Sequence, residues 1–147
     1  MKRNLLLLTL FTLLSVPAFA VDGEPSPEAK AEATRGNWSG WRGPTRDGLS
    51  AETGLLSSWP DAGPRLAWKA KGLGSGFSSV AVANDRIFTM GKKDGSTKMI
   101  ALSTNRGSVI WEADMGAGAN PNCTPTVDGD RVYGLTHSGE LVCISAT

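Results

Sequence analysis

Residues 68–147 repeat themselves, and an internal repeat limits the choice of fold more than any single motif. Ser79-Val80-Ala81-Val82-Ala83-Asn84-Asp85-Arg86-Ile87-Phe88 is matched by Thr124-Pro125-Thr126-Val127-Asp128-Gly129-Asp130-Arg131-Val132-Tyr133, which places Arg86 and Arg131 in register 45 residues apart. Met99-Ile100-Ala101-Leu102-Ser103-Thr104 is matched by Leu141-Val142-Cys143-Ile144-Ser145-Ala146 at a spacing of 42. The spacing falls by three because the stretch from Phe88 to Met99 is the longer one, and the extra residues are expected in a hairpin loop rather than a strand. Trp68 and Trp111, 43 residues apart, mark the same phase. A period of about 40–45 residues built from short strands indicates β-propeller blades.

Alternating apolar residues between turn signals predict strands over 77–83, 86–91, 98–103 and 108–114, one complete four-stranded blade. Strands over 123–127, 131–137 and 140–145 form three strands of a second, incomplete blade. A looser loop is expected over 92–97. Apolar residues run consecutively through Ile100-Ala101-Leu102, Val109-Ile110-Trp111 and Val142-Cys143-Ile144 and so fall on both faces, the pattern of sheets covered on both sides. Such an array needs about three or more units, so the sequence is expected to be a fragment of a longer chain or a truncated product.

Before the repeat the chain divides into three. Lys2 and Arg3, an apolar run from Leu5 to Leu14, and small residues at Ala18 and Ala20 resemble a secretory signal over 1–20. The apolar run is too short to span a bilayer, so no membrane span remains after cleavage and a periplasmic or secreted protein is expected. Residues 21–36 are polar and small and read as a flexible linker. Residues 37–64 read as an irregular Trp-rich segment in which Trp38 and Trp41 are pinned by burial beside Gly-Pro and Asp-Gly turns, with Leu55, Leu56 and Trp59 as further anchors. The glycine-rich stretch 72–76 lacks a dinucleotide fingerprint and is expected to be a tight crossing between strands.

Net charge is +1, from 15 basic and 14 acidic residues, which gives no electrostatic case for nucleic acid or an anionic membrane, partners that usually need a basic stripe. The strand map puts Cys123 and Cys143 two strands apart on opposite faces, roughly 9–10 Å, where a disulfide needs about 7 Å. Two small buried thiols are expected. His137 precedes a Ser-Gly turn and has no second ligand at metal spacing. Asp85, Asp94, Asp128 and Asp130 are what tight hairpins require. Arg86 and Arg131 have two readings: an axial ring binding an anion, or structural positions pairing at their turns. Gly129 belongs to the second of those turns. Trp68 and Trp111 read as packing residues between blades. The sequons at Asn37 and Asn122 arise often by chance.

Ile100-Ala101-Leu102-Ser103, then Gly107-Ser108-Val109-Ile110-Trp111, resemble the repeat of the pyrroloquinoline-quinone-like (PQQ-like) propellers, the quinoprotein alcohol dehydrogenase-like superfamily. Trp38, Trp41-Arg42-Gly43-Pro44 and Asp47-Gly48 resemble the start of exported planctomycete-type members. The resemblance implies an all-β PQQ-like propeller fragment over 65–147, with residues 65–71 as an N-terminal closing strand carrying Trp68 in the outer-strand position. It implies repeat positions at Trp68, Arg86, Leu102, Gly107, Trp111, Gly129, Arg131 and Ile144. Ser103 and Asn105 replace the usual Asp and Thr of the repeat.

The quinone-dependent dehydrogenases of this superfamily resemble one another in adjacent cysteines, calcium ligands and an axial aspartate, and this sequence has no adjacent cysteine pair. The leading expectation is an exported, non-catalytic scaffold in the cell envelope, with an unknown protein or small-molecule ligand as partner and the remaining blades in the full-length chain. One alternative is the N-terminal part of a quinoprotein oxidoreductase, for which alone PQQ and calcium would be implied. Another is a propeller that binds an extracellular polymer or glycan.

Overall fold

A computed structural model describes residues 36–147. The expected export signal and, apart from Gly36, the linker lie outside the described residues. Seven strands follow in order: β1 (Ala81–Ala83), β2 (Arg86–Lys93), β3 (Ser96–Ser103), β4 (Val109–Ala117), β5 (Thr126–Asp128), β6 (Arg131–Leu135) and β7 (Leu141–Ser145). They pair as two antiparallel sheets, β1-β2-β3-β4 and β5-β6-β7, with no helix among the described residues. The architecture is all-β, one four-stranded blade and three strands of a second.

Turn chemistry sets the registers. Asn84 and Asp85 both have positive φ (54° and 57°) and close β1 on β2 with Ala83 opposite Arg86. Positive φ at both central residues is the type I′ signature, whose twist matches the flanking strands. In the second blade Gly129 takes the equivalent corner at φ 55°, with Asp128 opposite Arg131.

The three-residue insertion does not swell a loop. Asp94 and Gly95, at φ 52° and 82°, form a two-residue turn with Lys93 opposite Ser96. The extra residues lengthen β2 and β3 to eight each, while β6 and β7 have five and flank a wider loop. An Asp-Gly pair supplies a tight turn at the far end of the hairpin, so the ladder continues to it.

The inner strands are shorter than expected. Residues 77–80 leave the ladder because the Ser78 hydroxyl replaces a backbone partner. Met90 N–H donates to Ser78 Oγ (3.2 Å), which donates to the Cys123 carbonyl of the next blade (2.8 Å). Pro125, which has no N–H to donate, precedes β5 and delays its start to Thr126.

The core lies between the blades. Phe88, Met99, Ala101 and Ala81 from the first sheet pack with Val127, Val132 and Ala146 of the second unit. Met90, Met99 and Met115 converge from three strands on Gly134 of β6, where a Cβ would stand 2.6 Å from the Met99 and Met115 methyls and 2.9 Å from the Met90 sulfur. A glycine inside a strand marks such a close approach, and methionine fills the irregular space around it. Full burial of side chains such as Phe88, Met99 and Val132 stabilises by about 1.5–3 kcal/mol each.

Burial on both faces holds in β3, where Met99 to Leu102 are all buried. It fails at Val109 in β4, and Val142 and Ile144 in β7 are only half-buried, because these strands lie at sheet edges with less covering them. Both cysteines are free, and Cys143 is exposed on β7 rather than buried.

Residues 65–71 form no strand. A strand exists through its ladder, and no described strand pairs with this segment. The glycine-rich stretch does make the expected crossing. Ser75 and Lys92 exchange backbone hydrogen bonds (3.1 and 2.7 Å), and a Cβ on Gly91 would overlap the Leu73 carbonyl. Leu55, Leu56 and Trp59 are exposed rather than anchored, because no described layer packs over them.

Candidate functional site

The first strands of the two blades, β1 and β5, lie against each other, as inner strands do where blades converge on an axis. Each is a sheet edge, paired on one side only. The free edges are taken by the N-terminal segment. Trp38 exchanges two backbone hydrogen bonds with Val82 of β1 (2.7 and 2.8 Å), and Val127 N–H of β5 donates to the Ser39 carbonyl (2.7 Å). Val82 and Val127 occupy the same position of successive repeats. Two consecutive residues thus stitch two blades together on their inner side.

Residues 40–48 then fold back as a compact turn. The Trp38 ring lies on Gly43, where a Cβ would stand 2.8–3.0 Å from three ring carbons. Gly43 N–H donates to the Gly40 carbonyl (3.0 Å), and Gly48 N–H to that of Arg42 (3.0 Å). Arg42 Nη2 donates to the Asp47 carbonyl (2.8 Å), while the Asp47 carboxylate accepts from Leu49 N–H and Thr45 Oγ1 (2.8 Å each). The Leu49 amide, then the Thr45 hydroxyl, hold the Asp47 carboxyl below its ordinary value. Arg42 and Arg46 sit at φ 62° and 60°, a left-handed conformation costly for long side chains and concentrated at ligand clamps.

The turn presents Trp41, and this is a correction. Trp38 is pinned, but the Trp41 side chain stands 69% exposed. Its ring borders three adjoining hollows. One, of about 370 Å³, is shared with Arg46, Thr126, Asp128 and Tyr133. A second, of about 430 Å³, is shared with Phe77, Ser79, Asn122 and Thr124. A third, of about 210 Å³, lies over Val80 and Gly48. Arg46 has no ion-pair partner among the described residues. Tyr133 faces Cys143 across the β6–β7 pair. The thiol beside it, then burial and the Asp128 charge, hold its phenol above the ordinary value.

The eight repeat positions lie elsewhere. The Trp68 ring covers Gly107, and its Nε1 donates to the Thr104 carbonyl (2.9 Å). Trp111 stands 6.0 Å from Phe88, tilted by 50°, with Nε1 buried and unpartnered among the described residues. Leu102 is buried in β3, and Ile144 is half-buried opposite Val132. The Gly129 carbonyl accepts from Asn84 (3.0 Å). Arg86 donates to the Asn84 carbonyl (3.5 Å), and Arg131 lies 3.6 Å from Asp130. Each arginine thus keeps to its own turn. The structure joins Trp68 with Gly107 and gathers none of the eight into the cleft. His137 is exposed in the β6–β7 loop. Tyr133 and Thr126 are cleft residues that the sequence shows only as strand positions.

The described residues do not fit a quinone–calcium centre. No group of three or more His, Cys, Asp or Glu side chains among them is placed to hold a metal ion, and Cys123 lies in the loop before β5 while Cys143 lies on β7. No described helix is long and apolar enough to cross a membrane.

The family model described as outer membrane protein assembly factor BamB matches residues 49–147. That is well over half of the sequence, and the chain belongs to this PQQ-like repeat family. No curated protein and no solved structure matches it. The match begins after the stitching segment, so Trp41 and Arg46 lie outside it while Thr126, Asp128 and Tyr133 lie within.

Proposed function

We propose that the protein is a non-catalytic propeller scaffold of the cell envelope that holds other proteins during their assembly. The observation that carries this reading is the stitching of both inner strands by Trp38 and Ser39. Dehydrogenases of the resembling superfamily place their cofactor chemistry near the propeller axis, and here the inner edges are taken by the chain itself. The family description, an outer membrane assembly factor, supports a role beside other polypeptides. Exposed apolar side chains at Leu49, Leu55, Leu56, Trp59 and Leu66 offer contact surface of the kind that marks protein interfaces.

The test is deletion of the gene in its source organism, followed by quantitation of folded outer-membrane proteins. Their amounts are expected to fall and to recover on complementation. Unchanged amounts would overturn the scaffold reading. Reduction of a dye by the full-length protein with added quinone, calcium and an alcohol would replace it with the oxidoreductase alternative.

A further inference from the structure

We propose that the cleft around Trp41 is a binding site for a neutral oligosaccharide, with one pyranose ring lying on the Trp41 indole and a neighbouring unit on Phe77. The inference does not rest on the scaffold reading.

Trp41 is the first observation. It is largely exposed, yet the turn that presents it accepts left-handed backbone at Arg42 and Arg46 and is cross-braced through Asp47. Rigid presentation of an exposed ring lowers the ordering cost of binding. Phe77, 79% exposed, lies on the same hollow. Two flat apolar surfaces beside one groove suit the C–H faces of successive sugar rings better than a compact ligand.

The polar lining is the second. Thr126, Asp128, Tyr133 and Arg46 border one side of Trp41, and Ser79, Asn122 and Thr124 the other. Hydroxyl, amide, carboxylate and guanidinium groups together both donate and accept, which matches a ligand whose every hydroxyl does the same. One unpaired cation and one carboxylate on the Arg46 side balance, which disfavours a polyanion. The hollows of about 370 and 430 Å³ fall within the range of small-molecule sites, roughly 300–1,000 Å³.

The third observation separates a saccharide from a peptide. An extended peptide gains affinity by adding to a free strand edge. At Val82 and Val127 those edges are already paired by Trp38 and Ser39. What remains open is side-chain recognition, the mode an oligosaccharide uses.

The experiment is native affinity electrophoresis of the full-length mature protein in gels containing dextran, laminarin, galactomannan, xylan or amylose, with the retarding glycan then titrated by tryptophan fluorescence. At least one neutral glycan is expected to retard the protein. Trp41→Ala is expected to weaken binding by at least about tenfold, and Asp128→Asn to weaken it measurably. Arg106→Ala, an exposed residue of the β3–β4 turn outside the cleft, is expected to leave binding unchanged. Far-ultraviolet circular dichroism checks that the variants fold, and Trp41→Phe, which keeps a stacking face, is expected to restore part of the affinity. Failure of every glycan to retard the protein overturns the proposal, as does binding that survives Trp41→Ala. Binding of an unfolded polypeptide that depends on Trp41, with no glycan retained, overturns it in favour of a peptide groove.

Discussion

The Asn84 side-chain amide donates to the Gly129 carbonyl across 3.0 Å, and the two residues are the same turn position one repeat apart. Ser75 donates to Asn120 and Ser78 to the Cys123 carbonyl, both at 2.8 Å and both at the same 45-residue spacing. The repeat is therefore a hydrogen-bonding rule as well as a packing rule. Each blade hands a polar group to the equivalent place in the next.

Ser78 is the most deeply placed of these links, since its hydroxyl also accepts from Met90 N–H. Ser78→Ala is expected to destabilise the fold by about 1–3 kcal/mol, because it leaves a partly buried donor and acceptor unpaired. Asn84→Ala, at an exposed turn, is expected to cost less, about 0.5–1.5 kcal/mol. Urea unfolding of the two variants checks the order.

Two strand glycines separate soft from hard contacts. A Cβ at Gly134 meets the ends of three methionines, which can move, whereas one at Gly91 meets the Leu73 backbone carbonyl. Gly134→Ala is expected to cost about 1–3 kcal/mol, as overpacking does, and to be relieved in part by Met115→Ala. Gly91→Ala is expected to be the more damaging. Thermal melts of the single and double variants measure this.

Trp68 holds the segment before the blades through its ring on Gly107 and its bond to Thr104. Trp68→Phe keeps an aromatic ring and loses the bond, an expected cost of about 0.5–1.5 kcal/mol. Trp68→Ala is expected to cost more and to expose residues 65–71 to proteolysis. Limited proteolysis with mass mapping distinguishes the two outcomes.

Asp114 accepts from Lys98 Nζ, Gly116 N–H and Ser96 Oγ, and chiefly the Lys98 contact lowers its carboxyl to about 2. A carboxyl lowered in the folded state binds fewer protons there than in the unfolded chain. Its stabilising effect is full above an unfolded value of about 4 and is lost as the pH falls through about 2. Melting temperature measured between those values is expected to fall with acid in the native chain and more shallowly in Asp114→Asn.

Tyr133 is the single tyrosine of the sequence, so its ionisation is readable by ultraviolet titration. The Cys143 thiol is the first cause of its raised value. Cys143→Ala is expected to shift the tyrosinate transition to lower pH. An unshifted transition would mean that the thiol does not act on the phenol.

The blades, the order of their strands and the hairpin corners at Asn84-Asp85 and Gly129-Asp130 were legible because each depends on neighbours in sequence. Alternation sets a strand, and a residue that tolerates positive φ sets its turn. The same local logic misplaced the insertion, although the Asp94-Gly95 pair within residues 92–97 is itself a tight-turn signal to which the ladder runs on. It missed that Ser78 would end an inner strand early, because the reason is a carbonyl in the next blade.

What the sequence by itself determined is the repeating unit: its period, its turns and the apolar positions that become the interblade core. Only the tertiary structure decided that Trp38 is pinned while Trp41 is presented, that Val82 and Val127 share one clasp, and that Gly134 receives three methionines. The physical reason is range. Strand and turn preferences act over a few residues, whereas a backbone hydrogen bond to a distant strand edge needs no particular side chain and leaves no mark in the sequence.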